Sequence, residues 1–184
     1  MMTEAALIDG ILEREGTQYE EPPRIDQPTA CGGITAAALA EDRGWPVSAI
    51  TKEMLKAIDV PQAQAIIGRK LQRFATSYGF NRVAFEPMRV QLIDFAYNSG
   101  ADRAIRWLQR TIGLPEALVT GKFDDRTWAA LARFPPVLVN NALAASRAHA
   151  AWHGRMDEKF AAGVAHRAIE FVIDTVGDVD GETL

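Results

Sequence analysis

The chain has 184 residues, of which 48% are hydrophobic and 24% are charged, a balance typical of a soluble globular protein with one domain or one domain and an appendage. The formal net charge of −4 argues against nonspecific nucleic-acid binding, which depends on neutralising phosphates, and against attachment to anionic membranes. No apolar run is long enough to span a bilayer, so we expect no stable membrane insertion.

Periodic apolar residues predict a chain that is helical almost throughout, beginning with a helix that Thr3 caps and Gly16 ends. Prolines and glycines interrupt any regular pattern from residue 16 to residue 33, which predicts a long loop. Ile34 and Thr35 lead into a short helix that includes Leu39 and stops before Gly44. Further helices cover 46–58, 61–79 and 87–100. The last of these is apolar on more than one side and is therefore the predicted central helix.

The second part of the sequence predicts four more helices. They cover 101–112, 124–131, 137–155 and 158–175, with a loop at 118–123 and the pair Pro135-Pro136 between the second and the third. Residues 177–184 are acidic and contain glycine, which predicts a flexible tail. The predicted fold class is therefore all-α.

Glu15 ends the first helix, within the run Ile11-Leu12-Glu13-Arg14-Glu15-Gly16-Thr17-Gln18-Tyr19. A carboxylate at a helix end, backed by apolar residues and followed by a loop, can be held partly out of water. Loss of hydration raises the pKa of a carboxyl group, and a raised pKa suits a general acid near neutral pH. The alternative interpretation is a solvated glutamate in the last helical turn.

Three blocks of the sequence, in a fixed order, form a combined signature. The first is Asp9 to Tyr19 followed by Gly33-Ile34-Thr35, the second is Asp94-Phe95-Ala96-Tyr97-Asn98-Ser99-Gly100, and the third is Ala104 to Arg110 with Gly121-Lys122-Phe123 and Thr127 to Leu131. Together they resemble the glycoside hydrolase family 108 muramidases of phages and bacteria. The third block is similar to the peptidoglycan-binding-like segment of that family. Thr17-Gln18 and the loop before Gly32 depart from the family pattern.

The resemblance implies a lysozyme-like helical domain with a C-terminal helical subdomain. The catalytic region would cover 1–100, and the peptidoglycan-binding-like region would cover 101–176. The implied reaction is hydrolysis of the β-1,4 bond between N-acetylmuramic acid and N-acetylglucosamine in the glycan strands of peptidoglycan, with Glu15 as the general acid. We expect no cofactor, no metal ion and no nucleic-acid partner, and we expect a monomer.

A second catalytic group is expected in the loop after Glu15. Asp26 is the first choice, because its carboxylate can orient water or stabilise positive charge on the sugar if the loop folds back. The alternative for Asp26 is a turn-forming role, and Glu20 and Glu21 are other candidates in the same loop. Thr35 can hold a catalytic water or act only as a helix N-cap. A carboxyl separation of about 5 Å predicts retention, and about 6.5–9.5 Å predicts inversion.

Four further residues are candidates for sugar binding: Tyr19, Trp45, Tyr97 and Asn98. Tyr19 can stack on a sugar ring or pack within the loop, and Trp45 is expected to be exposed and to line a groove. Asn98, beside Tyr97, can hydrogen-bond an N-acetyl group or a loop carbonyl, or it can simply end a helix before Gly100.

Two other kinds of chemistry have less support. Cys31 is the single cysteine, so it cannot form an internal disulfide, and no flanking signature marks it as a nucleophile that acts with a histidine. His149 and His153 have a spacing that zinc ligands use, but Ala150, Ala151 and Trp152 lie between them, without the glutamate of metalloproteases.

The N-terminus lacks a basic region followed by an apolar core, so no secretory signal is expected. We therefore expect a protein that is made in the cytoplasm and acts on the cell wall in the periplasm after release, as a phage endolysin does. The alternative from a different class is a non-catalytic peptidoglycan-binding protein, or a virion structural protein, that retains the fold.

Overall fold

The computed structural model describes residues 3–21, 28–153 and 158–174, with side chains over 3–21, 28–149 and 162–174. These residues are mostly helical, which confirms the predicted all-α class. The helices are α1 (Glu4–Glu15), α2 (Ala36–Arg43), α3 (Lys52–Lys56), α4 (Val60–Ser77), α5 (Glu86–Ser99), α6 (Ala101–Thr111), α7 (Asp125–Leu131), α8 (Pro136–His153) and α9 (Glu158–Ile169). Two short strands, β1 (Thr29–Ala30) and β2 (Ile34–Thr35), pair antiparallel.

The chain divides into two compact units, Thr3–Ser77 and Tyr78–Leu184. The first holds α1 to α4 and both strands, and the second holds α5 to α9. The division predicted from the sequence, into a catalytic region at 1–100 and a peptidoglycan-binding-like region at 101–176 packed on it, stays a prediction. The predicted flexible tail at 177–184 lies outside the described residues. Within the described residues, no helix is both long enough and apolar enough to cross a membrane.

In the first unit, local signals fix the helix ends. The Thr3 hydroxyl accepts a hydrogen bond from the Ala6 amide at 3.2 Å, and Gly16 ends α1 with a φ of 84°. Helices α1 and α4 pack together through buried side chains, among them Ile11 and Ile67. The hydrophobic faces that the sequence predicts for these two helices therefore meet in one core.

The region predicted as a helix over 46–58 is divided into two pieces. A short 3₁₀ helix covers Val47–Ala49, and α3 begins only after Thr51. Thr51 has an extended backbone, and its hydroxyl accepts from the Met54 amide at 3.3 Å, so it starts a new helix instead of continuing the old one. Helix α9 also ends earlier than predicted, at Ile169 rather than near residue 175.

The second unit is built on α5, in which every residue from Val90 to Ala96 is buried. This confirms the prediction of a central helix. Helices α6 and α8 pack on α5, and α9 packs on α8. The largest wholly buried side chains of this core are mostly aliphatic or aromatic, with two glutamines among them: Phe80, Leu92, Ile93, Ile105, Leu108, Leu143, Gln91 and Gln109.

Gln109 explains the residue spacing of the third sequence block. Its side chain is fully buried, and its Nε2 donates to the Thr127 hydroxyl and to the Lys122 carbonyl, each at 2.9 Å. Its Oε1 accepts from the Gly121 amide at 3.0 Å. One buried side chain of α6 thus finds several hydrogen-bond partners in the loop that leads into α7, as a buried polar group requires.

Candidate active site

Glu15 is the last residue of α1, and it is exposed. The expectation of partial burial is therefore wrong. The apolar residues Ile11 and Leu12, which precede Glu15 in α1, are themselves buried in the core. Asp26 and the rest of 22–27 lie outside the described residues, so the predicted pairing of two carboxylates stays a prediction.

Two consecutive glycines hold the chain against the end of α1. Gly32 and Gly33 both have a positive φ, 71° and 69°, a conformation that favours glycine. The Gly32 amide donates to the Gly16 carbonyl at 2.8 Å. A Cβ at residue 32 would lie 2.8 Å from Leu12 Cδ2 and 2.9 Å from Ile67 Cδ1, so this residue packs tightly between α1 and α4.

Gly33 is in contact with the Glu15 side chain. A Cβ at residue 33 would lie 2.8 Å from Glu15 Oε2, 3.1 Å from its Cγ and 3.2 Å from its Cβ. These distances are shorter than ordinary van der Waals separations. The carboxylate therefore occupies space that exists only because residue 33 has no side chain. Although exposed, Glu15 lies against a glycine turn that is fixed to its own helix.

Thr35 follows this turn as part of β2 and as the N-cap of α2. Its hydroxyl accepts from the Ala38 amide at 3.1 Å, which is the capping role that the sequence left open. Its strand pairs with β1, and β1 in turn bridges to Glu20 through two backbone hydrogen bonds. The predicted loop at 16–33 thus contains β structure, and a catalytic role of Thr35 stays a prediction.

Tyr19 lies in a charged cluster beside this small sheet. The Lys56 ammonium lies 5.3 Å from the centre of the Tyr19 ring, and Lys52 forms an ion pair with Glu21. Partial burial raises the pKa of Tyr19, and the negative charge of Glu21 raises it further. The hydrogen bond from Lys52 holds the pKa of Glu21 below its usual value. Tyr19 thus packs beside cations that can also contact an anionic or polyhydroxylated ligand.

Trp45 is 45% exposed, as the sequence predicts, and the Arg43 guanidinium lies 5.1 Å from the centre of its ring. A separate surface depression of about 350 Å³ lies on α4 and is lined by Arg69, Gln72, Arg73, Thr76 and Ser77. None of the sequence-predicted site residues lines this depression, so it is not the site that the sequence predicts.

Tyr97 and Asn98 belong to the second unit, at the end of α5. Tyr97 is half-buried, and Asn98 is exposed. The Asn98 Nδ2 donates to the Asp94 carbonyl at 2.7 Å and to Asp94 Oδ1 at 2.9 Å. The Asn98 Oδ1 accepts from Arg167 Nη1. The Asn98 side chain is thus held by neighbouring residues, and its predicted role in sugar binding stays a prediction.

Asp94 is the buried centre of this network. Its Oδ2 accepts from Arg147 Nη2 at 2.6 Å, and the two side chains are 0% and 3% exposed. The guanidinium lies between two aromatic rings, 4.6 Å from the centre of Phe95 and 5.4 Å from that of Phe171. Burial lowers the pKa of Arg147, and the Asp94 charge opposes that effect.

Sequence reasoning missed both arginines of the network. A usable signal was present, because Asp94 lies in a largely apolar, buried stretch of α5 and a buried carboxylate needs a cation or donors. The sequence does not say which arginine supplies the charge. The partner lies 53 residues away in α8.

The structure gives little support to Cys31 as a nucleophile or to a zinc site at His149 and His153. Cys31 is 2% exposed, and burial raises the pKa of its thiol, which opposes formation of the thiolate nucleophile. His149 is exposed, and the side chain of His153 lies outside the described residues. Over the described ranges, no group of three or more histidine, cysteine, aspartate or glutamate residues is arranged to hold a metal ion.

The chain matches no protein-family model and no curated protein. Among solved structures, it is similar to that of SagA from Brucella abortus, with a TM-score of 0.57 and 23% sequence identity. The similarity covers 93% of this chain and 96% of the SagA chain. At this level of identity the likeness shows the fold, which agrees with the predicted all-α class.

Proposed function

We propose that this protein is a peptidoglycan hydrolase, an N-acetylmuramidase that resembles glycoside hydrolase family 108. The observation that supports the proposal best is the arrangement at the end of α1. Glu15 is exposed to a ligand, and its side chain is confined by the turn at Gly33. A general acid needs both access to the substrate and a defined position, and this glutamate combines them.

In the proposed reaction, Glu15 donates a proton to the glycosidic oxygen, and N-acetylglucosamine leaves with its hydroxyl group restored. The carboxyl must hold that proton while the substrate is bound. A glycan chain that lies against an exposed carboxylate removes water from it, and this desolvation favours the neutral form.

Positive charge that develops on the sugar ring needs a second group, and Asp26 is the proposed one. Its carboxylate would either attack the anomeric carbon or activate a water molecule. Tyr19 and Trp45 are the proposed sugar-stacking residues of the first unit. The Lys56 ammonium lies 5.3 Å from the centre of the Tyr19 ring, which restricts the position of Tyr19.

The test is lysis of Gram-negative cells that have been stripped of their outer membrane, followed as a fall in turbidity. Wild type is expected to lyse these cells, and Glu15→Gln is expected to be folded but inactive, because the amide has no proton to donate. Glu13→Gln is the matched control, since Glu13 is an exposed glutamate on the same helix. Equal activity of Glu15→Gln and Glu13→Gln would show that Glu15 is not the acid.

Mass spectrometry of digested peptidoglycan identifies the bond that is cut. New reducing ends on N-acetylmuramic acid support the proposal. An anhydro end indicates a lytic transglycosylase, and a released stem peptide indicates an amidase or a peptidase. The two latter products would each overturn the muramidase proposal while leaving peptidoglycan as the substrate.

The departures of Thr17-Gln18 and of the loop before Gly32 from the family pattern favour one alternative, a non-catalytic peptidoglycan-binding or virion structural protein with the same fold. Such a protein would sediment with purified peptidoglycan, and Glu15→Gln would sediment equally well. It would release no reducing ends from peptidoglycan over hours at micromolar protein concentration. That combination of results would favour the binding protein over the enzyme.

A further inference from the structure

Asn98 and Arg167 place a hydrogen-bond acceptor next to a donor at the exposed end of α5. The orientation of the Asn98 amide follows from its neighbours. Two acceptors of Asp94 lie 2.7 and 2.9 Å from the nitrogen Nδ2, and a donor of Arg167 lies against the oxygen Oδ1. A reversed amide would bring oxygen to oxygen and nitrogen to nitrogen, so Oδ1 must be the atom next to Arg167.

A buried ion pair between Asp94 and Arg147 stabilises this orientation of the Asn98 amide. Asp94 is fully buried and accepts from Arg147, and the Arg147 guanidinium lies between Phe95 and Phe171. Separating Asp94 from Arg147 would leave two uncompensated charges in the core, which is strongly unfavourable. Asp94 therefore cannot easily rotate, and the acceptors that hold Asn98 stay in place.

This pair retains hydrogen-bonding capacity. A side-chain amide oxygen has two lone pairs, and the contact with Arg167 uses one of them. A guanidinium has five N–H groups, and the contact with Asn98 uses one of those on Nη1; Arg167 Nε is buried without an acceptor among the described residues and does not face a ligand. The half-buried Arg167 and the exposed Asn98 thus place a free acceptor beside further charged N–H groups.

An acetamide group has the complementary pattern, with one N–H donor and one carbonyl acceptor. We infer that Asn98 and Arg167 bind the 2-acetamido group of an amino sugar, with its N–H donating to Asn98 Oδ1 and its carbonyl accepting from Arg167. The sugar class rests on the proposed function, because both sugars of peptidoglycan carry this group. The inference does not depend on Glu15 being catalytic.

The experiment measures binding by isothermal titration calorimetry in the full-length Glu15→Gln protein, in which no cleavage is expected to interfere. The two probes are the tetramer of β-1,4-linked N-acetylglucosamine and cellotetraose, a neutral β-1,4 tetramer without acetamido groups. Arg167→Met, made in the same background, removes the guanidinium. Arg103→Met is the matched control, because Arg103 is an exposed arginine on α6 of the same unit.

Arg167→Met is expected to raise the Kd of the acetylated tetramer about tenfold or more, as befits a lost hydrogen bond from a charged donor. Binding of cellotetraose should be weak and unchanged, and Arg103→Met should bind both probes as its parent does. Asn98→Asp places an oxygen against two acceptors of Asp94, so it is expected to weaken binding of the acetylated tetramer as well.

A Kd for Arg167→Met within twofold of that for Arg103→Met would overturn the inference, and so would undetectable binding of the acetylated tetramer to the parent. Neither result bears on the proposed function, which is judged by cell lysis and by the reducing ends that wild type releases. Conversely, absence of hydrolysis together with acetamide-dependent binding would overturn the enzyme proposal and support this one.

Discussion

The contact between Gly33 and Glu15 gives the most direct test of the proposed acid. Replacing Gly33 with alanine adds a Cβ that would lie 2.8 Å from Glu15 Oε2. Ordinary contacts begin at about 3.5 Å, so the carboxylate must move by about 0.7 Å or more. A misplacement of about 1 Å in a catalytic group can cost about a hundredfold in rate. We expect Gly33→Ala to lose about 10- to 100-fold in turnover.

The substitution also strains the backbone, because Gly33 has a φ of 69°. Gly44 provides a matched control, since its φ is 67° and a Cβ there would have no atom within 4 Å. Either alanine costs about 1–2 kcal/mol of backbone strain. For a protein of this size, each kcal/mol lowers the Tm by about 2–4 °C. The two variants should therefore lose similar backbone stability and differ in activity.

The assay is the rate of reducing-end release from purified peptidoglycan, with the Tm of each variant measured alongside. Gly44→Ala should keep the wild-type rate within about twofold, whereas Gly33→Ala should not. The reasoning is refuted if both variants are equally active while both are folded. It is equally refuted if Gly44→Ala loses as much activity as Gly33→Ala, because the loss would then follow from backbone strain.

Two further predictions concern carboxylates of the first unit. Asp26→Asn should lower turnover much more than it lowers the Tm; a variant that loses mainly thermal stability would support the turn-forming role of Asp26 instead. The bidentate hydrogen bonds from Arg69 hold the pKa of Asp42 below its usual value in the folded protein. The contribution of this carboxylate to the free energy of unfolding is therefore fully present above the unfolded pKa of about 3.9, and it is lost as the pH falls through the lower folded pKa. The difference in unfolding free energy between wild type and Asp42→Asn, from urea titrations, should stay constant between pH 5 and pH 7 and shrink as the pH falls below about 4. A difference that persists unchanged at pH 2 would contradict this assignment.

The sequence alone determined the features that depend on neighbours in the chain. Thr3 caps α1 through a hydrogen bond that spans three residues, so its residue type and position were enough to predict the cap. For Thr35 the sequence offered the cap as one of two alternatives, and the structure shows the same kind of hydrogen bond. The central position of α5 followed from its apolar composition on several faces. The position of Glu15 at the end of α1 was predicted for the same kind of reason.

Local sequence patterns also gave wrong secondary-structure predictions at particular residues. Pro46 and Ser48 are good helix-starting residues, but Thr51 forms a cap inside the predicted helix and divides it. The strands β1 and β2 contain two residues each, which is too short for any periodic pattern. Their pairing depends on backbone hydrogen bonds across the glycine turn, so the sequence predicted only a loop at β1 and the approach to a helix at β2.

Tertiary structure decided what surrounds the candidate residues. It left Glu15 exposed and placed Gly33 against its side chain, although the two residues are far enough apart in sequence that spacing says nothing about contact. It also brought Arg147 and Arg167 to Asp94 and Asn98 across 53 and 69 residues. Composition and periodicity predict which faces are buried, because burial depends on polarity averaged over a helix. The pairing of charged side chains on different helices depends on how those helices pack, and only the tertiary structure gives that packing.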